Sequence, residues 1–266
     1  MDIIKKISEE IGCRTSQTEA AVKLIDEGNT IPFIARYRKE ATGALNDEQL
    51  RTLHERLTYL RNLEDKKAQV IASIEEQGKL TPELRAEIEA AETMVLVDDL
   101  YRPYRPKRKT RATVAKDKGL EGLANIISLQ MTSTPIRTEA EKYVSTEKGV
   151  ETVDDAIAGA MDIIAENISD TADYRTKIRD LTTKKGFINT TAKDPDAESV
   201  YEMYYNFSAP ISKMTGYRTL AVNRGEKEKF ITVKIEAPVD EIISYLRKKI
   251  IVRDNSDTCL LYTSPS

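Results

Sequence analysis

The 266-residue sequence has no tryptophan, one histidine and two cysteines. Cys13 and Cys259 alone make no disulfide framework, so a reducing, cytoplasmic setting is expected. His54 has no companion histidine, thiol set or serine elbow, which removes the usual nucleophile–base pairs and zinc sites. No apolar run reaches the roughly 20 residues of a membrane span. The start, Met1-Asp2-Ile3-Ile4-Lys5-Lys6, lacks the apolar centre of a signal peptide. Asn223-Arg224-Gly225-Glu226 lacks the glycine spacing of a phosphate loop. The neighbouring acids Asp98-Asp99 and Asp154-Asp155 point apart on a helix and read as caps or ion-pair partners rather than metal ligands. No catalytic residue, cofactor or metal is therefore expected, and the chain reads as a non-enzyme.

What is abundant is charge, at 32% of residues, with a net charge of −3. Against that average, Arg102, Arg105, Lys107, Arg108, Lys109 and Arg111 follow one another without an acid. A concentrated basic segment can attract phosphate whatever the net charge. Pro103 and Pro106 exclude helix interior, so an extended, proline-stiffened connector is predicted. Tyr101 and Tyr104 flank it. Two readings stay open: a solvated loop docked by its tyrosines, or a nucleic-acid contact. Arg36, Arg38 and Lys39 form a second basic cluster, read either as a solvated helix face or as a phosphate contact.

The remaining pattern is helical. Ile3, Ile4, Ile7 and Ile11 share one face, and Gly12 ends that element. Ser16 with Glu19 predicts a capping box. Thr30-Ile31-Pro32 opens another turn, in which Phe33, Ile34 and Tyr37 are expected to share a buried stripe. Asn46 caps a helix free of glycine and proline from Asp47 to Gln77, about 45 Å long at 1.5 Å per residue. Thr81-Pro82-Glu83 is a strong helix start. Thr113–Lys118, Gly119 and Leu120–Gln130 suggest a helix-turn-helix-like unit. Helices are also expected from Pro135, from Thr152 with Asp155, from a Ser169 cap to Gly186, and over Asp240–Ile251. Phe187–Ala192 and Phe230–Ile235 read as extended. Tyr201, Tyr204 and Tyr205 could stack on bases or fill a core. The fold class is therefore mainly α: an elongated multi-helix array with a helix-turn-helix-like unit and a small strand-containing portion near the C-terminus. The composition shift at Lys193-Asp194-Pro195 divides the chain into 1–193, a helical domain, and 194–256, a small α+β portion. Residues 257–266 look like a non-native read-through tail.

Three ordered segments carry a resemblance. Ile31-Pro32-Phe33-Ile34-Ala35-Arg36-Tyr37-Arg38-Lys39-Glu40-Ala41-Thr42-Gly43 resembles the N-terminal signature of the Tex family of bacterial transcription accessory proteins. Asp99 to Ala112, continued by Gly119-Leu120-Glu121, resembles its second signature. Leu220-Ala221-Val222-Asn223-Arg224-Gly225-Glu226 resembles a third, although the family's preceding His-Arg is Tyr217-Arg218 in this sequence. The resemblance covers residues 1 to about 255. It implies a C-terminally truncated Tex protein, without the RNase-H-like, helix-hairpin-helix and OB-fold RNA-binding regions that follow in the family. The expected function is then a non-catalytic, cytoplasmic scaffold. It would make weak, sequence-independent RNA or DNA contact through Arg102, Arg105, Lys107, Arg108, Lys109 and Arg111, with Arg36, Arg38 and Lys39. The alternative is a protein-interaction module docking to RNA polymerase or the ribosome without touching nucleic acid. A monomer with no membrane partner is expected.

Overall fold

The computed structural model describes residues 2–106, 109–132 and 134–252. The chain forms two compact units, one up to Tyr104 and one from Arg105. Both are dominated by helix, as the sequence predicts.

The first unit contains α1 (Ile3–Ile11), α2 (Thr15–Asp26), α3 (Ile31–Tyr37), α4 (Asp47–Glu76), α5 (Pro82–Ala90) and α6 (Met94–Tyr101). α4 is its spine. The Asn46 side chain accepts from Gln49 N, and Gln49 Oε1 accepts from Asn46 N, so two free amides at the helix start are satisfied together. Leu50, Leu53, Leu57, Leu60, Leu63, Val70 and Ile74 then lie buried along one stripe. Ile7, Ala21, Ile34, Ile88 and Val97 from the shorter helices join that core. Thr81 and Thr93 cap α5 and α6 through Leu84 N and Leu96 N.

The second unit begins with α7 (Arg111–Asp117), α8 (Glu121–Leu129) and α9 (Ile136–Glu141), which pack against α10 (Val153–Asp170). Thr152 and Asp155 close the expected capping box at the start of α10. Ala156, Ala160, Ile163 and Ile164 of α10 meet Ala112, Ala115, Leu120, Leu123 and Ile136 in its core. The small residues allow close approach: a methyl at Gly159 would collide with Leu120 Cδ1 and stand 3.3 Å from Ala115 Cβ. After α11 (Ala172–Lys185) come β1 (Phe187–Ala192), β2 (Asn206–Pro210), α12 (Gly216–Lys227), β3 (Ile231–Glu236) and α13 (Val239–Ile250). β1 is central, antiparallel to β2 on one side and β3 on the other, with Thr190 opposite both Phe207 and Val233. A small second core holds Tyr204, Val222 and Ile231. Buried Gln130, at the end of α8, donates from Nε2 to Ile250 O at 2.7 Å and accepts from Val252 N at 2.9 Å. The composition change at Lys193–Pro195 falls in the turn that leaves β1.

Several local expectations are corrected. α2 starts at Thr15, with Arg14 N donating to Gln17 Oε1, so Ser16 and Glu19 are not its capping box. α10 runs through Ser169, and the break comes at Thr171, whose extended backbone (φ −67°, ψ 116°) separates it from α11. The connector is not extended from its start: Arg102–Tyr104 continue α6 as a 3-10 turn. Only Ile34 of the expected α3 stripe is buried, while Phe33 and Tyr37 are exposed.

Candidate nucleic-acid interface

The connector cations are set by the ends of the elements around them. α6 carries Tyr101, whose hydroxyl lies 3.0 Å from Ser73 Oγ on α4. Gln77 Nε2 donates to Tyr104 O at 3.0 Å, and both tyrosine rings pack on the first unit's core. Tyr101 and Tyr104 are therefore docking groups rather than free stacking platforms. Arg102 stands exposed on the 3-10 turn between them.

In the second unit Thr110 caps α7 by accepting from Thr113 N at 3.1 Å, and its Oγ1 also donates to Glu166 Oε1 at 3.0 Å. That anchors the residue next to Lys109 and Arg111. Arg111 opens α7, exposed, with its Nε 3.5 Å from Asp162 Oδ1. Arg105 and Lys109 are exposed and form no ion pair with a described residue. Lys107 and Arg108 lie outside the described residues, as do Cys259 and the tail from 257 to 266.

Lys109, Arg111 and Lys118 border a cleft of about 700 Å³ whose other charged side chains are Glu151, Asp155 and Asp162. Mixed signs cancel much of the field inside it, so its floor is a poor seat for a polyanion. α8, the second helix of the helix-turn-helix-like pair, carries Glu121 and no base. That composition does not suit insertion into a phosphate-lined groove. A second groove, of about 730 Å³, is mainly apolar, lined by Met161, Ile164, Ile168, Ile178, Ile235 and Leu246.

The other basic cluster belongs to the first unit. Arg36 is on α3, and Arg38 and Lys39 follow it in a pinned loop. Buried Thr42 donates from Oγ1 to Arg38 O and Lys39 O, each at 3.3 Å. Gln17 Nε2 donates to Gly43 O at 2.7 Å and Thr42 O at 3.3 Å. Arg38 lies over the Phe33 ring, with Cζ 5.5 Å from the centroid, and Phe33 and Tyr37 are 5.3 Å apart. The exposed aromatics were missed in the sequence. The signal available was their i, i+4 spacing, which places them together on a face centred about 80° from Ile34.

Other arginines of this unit serve the fold. Arg56 pairs with Glu10 through two bonds of 2.6 and 2.7 Å, and Arg61 with Asp26 through two of 2.7 and 2.8 Å. These bonds hold the Glu10 and Asp26 carboxyls below the usual carboxylate range and raise both guanidinium values. Arg36, Arg38 and Lys39 make no such pair with a described residue.

The remaining candidates have structural places. His54 is exposed on α4. Cys13 Sγ lies 3.2 Å from Thr18 Oγ1. Asp98 pairs with Lys66 and Asp154 with Arg137. Tyr201 and Tyr204 are buried, and the Tyr205 hydroxyl donates to Ala197 O. No cluster of His, Cys, Asp and Glu among the described residues could hold a metal ion. No helix among them is long and apolar enough to cross a membrane.

Comparison with known proteins decides the kinship. The Tex-like protein N-terminal domain matches residues 1–75, and the Tex central region matches 131–256. The chain belongs to the Tex family. The basic connector falls between the two matched Tex segments. Transcriptional accessory protein Tex of Neisseria gonorrhoeae is 40% identical over 244 residues, 91% of this chain and 32% of that protein. YdcI of Bacillus subtilis is 48% identical over 250 residues, 93% of this chain and 35% of that protein. The human S1 RNA-binding domain-containing protein 1 is 29% identical over 244 residues, 88% of this chain and 24% of that protein. The chain thus spans about a third of the length of the bacterial Tex relatives.

Proposed function

We propose that this chain makes a non-catalytic, sequence-independent contact with RNA or DNA as part of a cytoplasmic transcription accessory protein, acting as a monomer. The observation that carries the reading is the exposure of Arg105 and Lys109 without a carboxylate partner among the described residues, in a chain of net charge −3. Arg102, Lys107, Arg108 and Arg111 extend the same run in sequence. Two of the relatives' names support it, one a transcriptional accessory protein and one an S1 RNA-binding domain protein. The docked tyrosines fix the backbone where the run begins.

Such a contact works by releasing counterions condensed on the phosphates. Engagement of four phosphates would give a log–log salt slope of about −3 to −4. A mobility-shift titration at low and moderate salt measures it. Arg105→Ala, Lys107→Ala, Arg108→Ala and Lys109→Ala together should remove most of the affinity and flatten the slope. Parent-like binding by that quadruple variant sinks the proposed mechanism.

A further inference from the structure

Three exposed large apolar side chains occur among the described residues of the first unit: Phe33, Tyr37 and Val95. Two of them adjoin. Tyr37 is 67% exposed and Phe33 37%, in a unit whose other large apolar groups, Val95 apart, are covered or half-covered. Their rings are 5.3 Å apart and tilted by 44°, within the range of an aromatic pair. Burying such rings against water is favourable, so leaving both uncovered needs a reason.

The charges beside them narrow the occupant. Arg36, Arg38 and Lys39 lie within two residues of Tyr37 in sequence, opposed in this run by Glu40 alone. Arg38 lies on the Phe33 face rather than against an acid. Arg56 and Arg61 of the same unit each grip a carboxylate with two bonds, so arginines that serve this fold are used differently. The loop carrying Arg38 and Lys39 is held by Thr42 and Gln17, with Ala44 N donating to Lys39 O at 2.7 Å. Rings with adjacent cations on a fixed backbone match the two halves of an unpaired nucleotide: a flat base to stack and a phosphate to neutralise. A duplex hides its base faces and would meet only the cations.

We propose that Phe33 and Tyr37 form a base-stacking platform for single-stranded nucleic acid, with Arg36, Arg38 and Lys39 engaging the flanking phosphates. This role rests on the nucleic-acid reading above and adds to it a preference for unpaired strands. Phosphate contact through the connector alone would not distinguish strand state in this way.

The test uses the whole chain with fluorescein-labelled oligo-U and oligo-dT, and with a duplex of equal length, followed by anisotropy. Because the sequence has no tryptophan, Tyr37→Trp introduces a lone indole at the platform. Its emission should be quenched as the single strands bind and much less as the duplex binds. Phe33→Ala with Tyr37→Ala should weaken single-strand affinity about tenfold, while Tyr37→Phe stays near the parent. Circular dichroism and the thermal midpoint report whether the double variant folds; if it does not, the indole signal decides alone. An unquenched indole during binding, or parent-like affinity of a folded double variant, overturns the platform. Those results leave connector binding standing and assign the rings to a protein partner. No anisotropy change at low salt overturns the platform and the connector reading together.

Discussion

In the first unit a single 30-residue helix, α4, presents one stripe of leucine, valine and isoleucine to all the shorter helices. In the second unit burial is divided. One core surrounds α10, a smaller one holds Tyr204, Val222 and Ile231, and α13 buries none of its residues fully. Helices converging on one rod share a common set of contacts, whereas divided cores must each offset their own chain entropy. Cations divide within each unit instead. In the first, Arg56 and Arg61 brace through carboxylates while Arg36, Arg38 and Lys39 pair with none of the described residues. In the second, Lys185 pairs with Glu241 while Arg105 and Lys109 pair with none of the described residues.

The largest expected effect probes the two kinds of core. Leu60→Ala, at a fully buried point of α4, should cost toward the upper end of about 2–5 kcal/mol. Ile231→Ala should cost toward the lower end of that range of about 2–5 kcal/mol, because a small core relaxes more readily around a lost side chain. Urea unfolding with hydrogen exchange resolved by region measures both, and equal losses would erase the contrast. Next in size is Gly159→Ala, which forces a methyl against Leu120 and Ala115 at the crossing of α10 with α7 and α8. Overpacking of this kind costs about 1–3 kcal/mol. A thermal midpoint no lower than the parent's would show that crossing to be looser than its geometry implies.

The smallest effect concerns Glu10 and Arg56. The bonds to Arg56 lower the Glu10 pKa in the folded state. Its stabilisation is therefore present above the unfolded carboxyl's ordinary value and is lost as pH falls through the folded one. Glu10→Gln should destabilise by up to about 1 kcal/mol at pH 7, given the pair's partial exposure. Below both carboxyl values the difference between variant and parent should vanish. Denaturant midpoints across the acid range test it; a gap that persists in acid would mean the residue acts through packing instead.

Much of the fold was legible because local and tertiary signals agree. The Asn46 cap, Thr81-Pro82 and the Thr152–Asp155 box are each satisfied within a few residues of sequence, and the α4 stripe shows as an unbroken helical period. β2 was not legible. Asn206-Phe207-Ser208-Ala209-Pro210 has little strand propensity, and pairing with β1 at a sheet edge makes it a strand. The Thr171 break escaped notice because no glycine or proline marks it. Of the candidate site, the basic runs are visible as composition. The fate of the tyrosines is not: docking of Tyr101 depends on Ser73, 28 positions earlier, and no local pattern encodes that. The open rings of Phe33 and Tyr37 escaped for the converse reason, since an apolar letter in a helix reads as core.

The carboxamide of Gln130 has a consequence for how the second unit responds to load. It donates to one backbone group and accepts from another at the far end of α13, some 120 positions away. The intervening polypeptide is thereby cinched into a loop by a neutral clasp. Glutamate in its place would keep the acceptor and forfeit the donor, and leucine would forfeit both. Tension applied at either end of that loop reaches the other through this side chain as well as through the packing of α8, α10, α11 and α13 on one another.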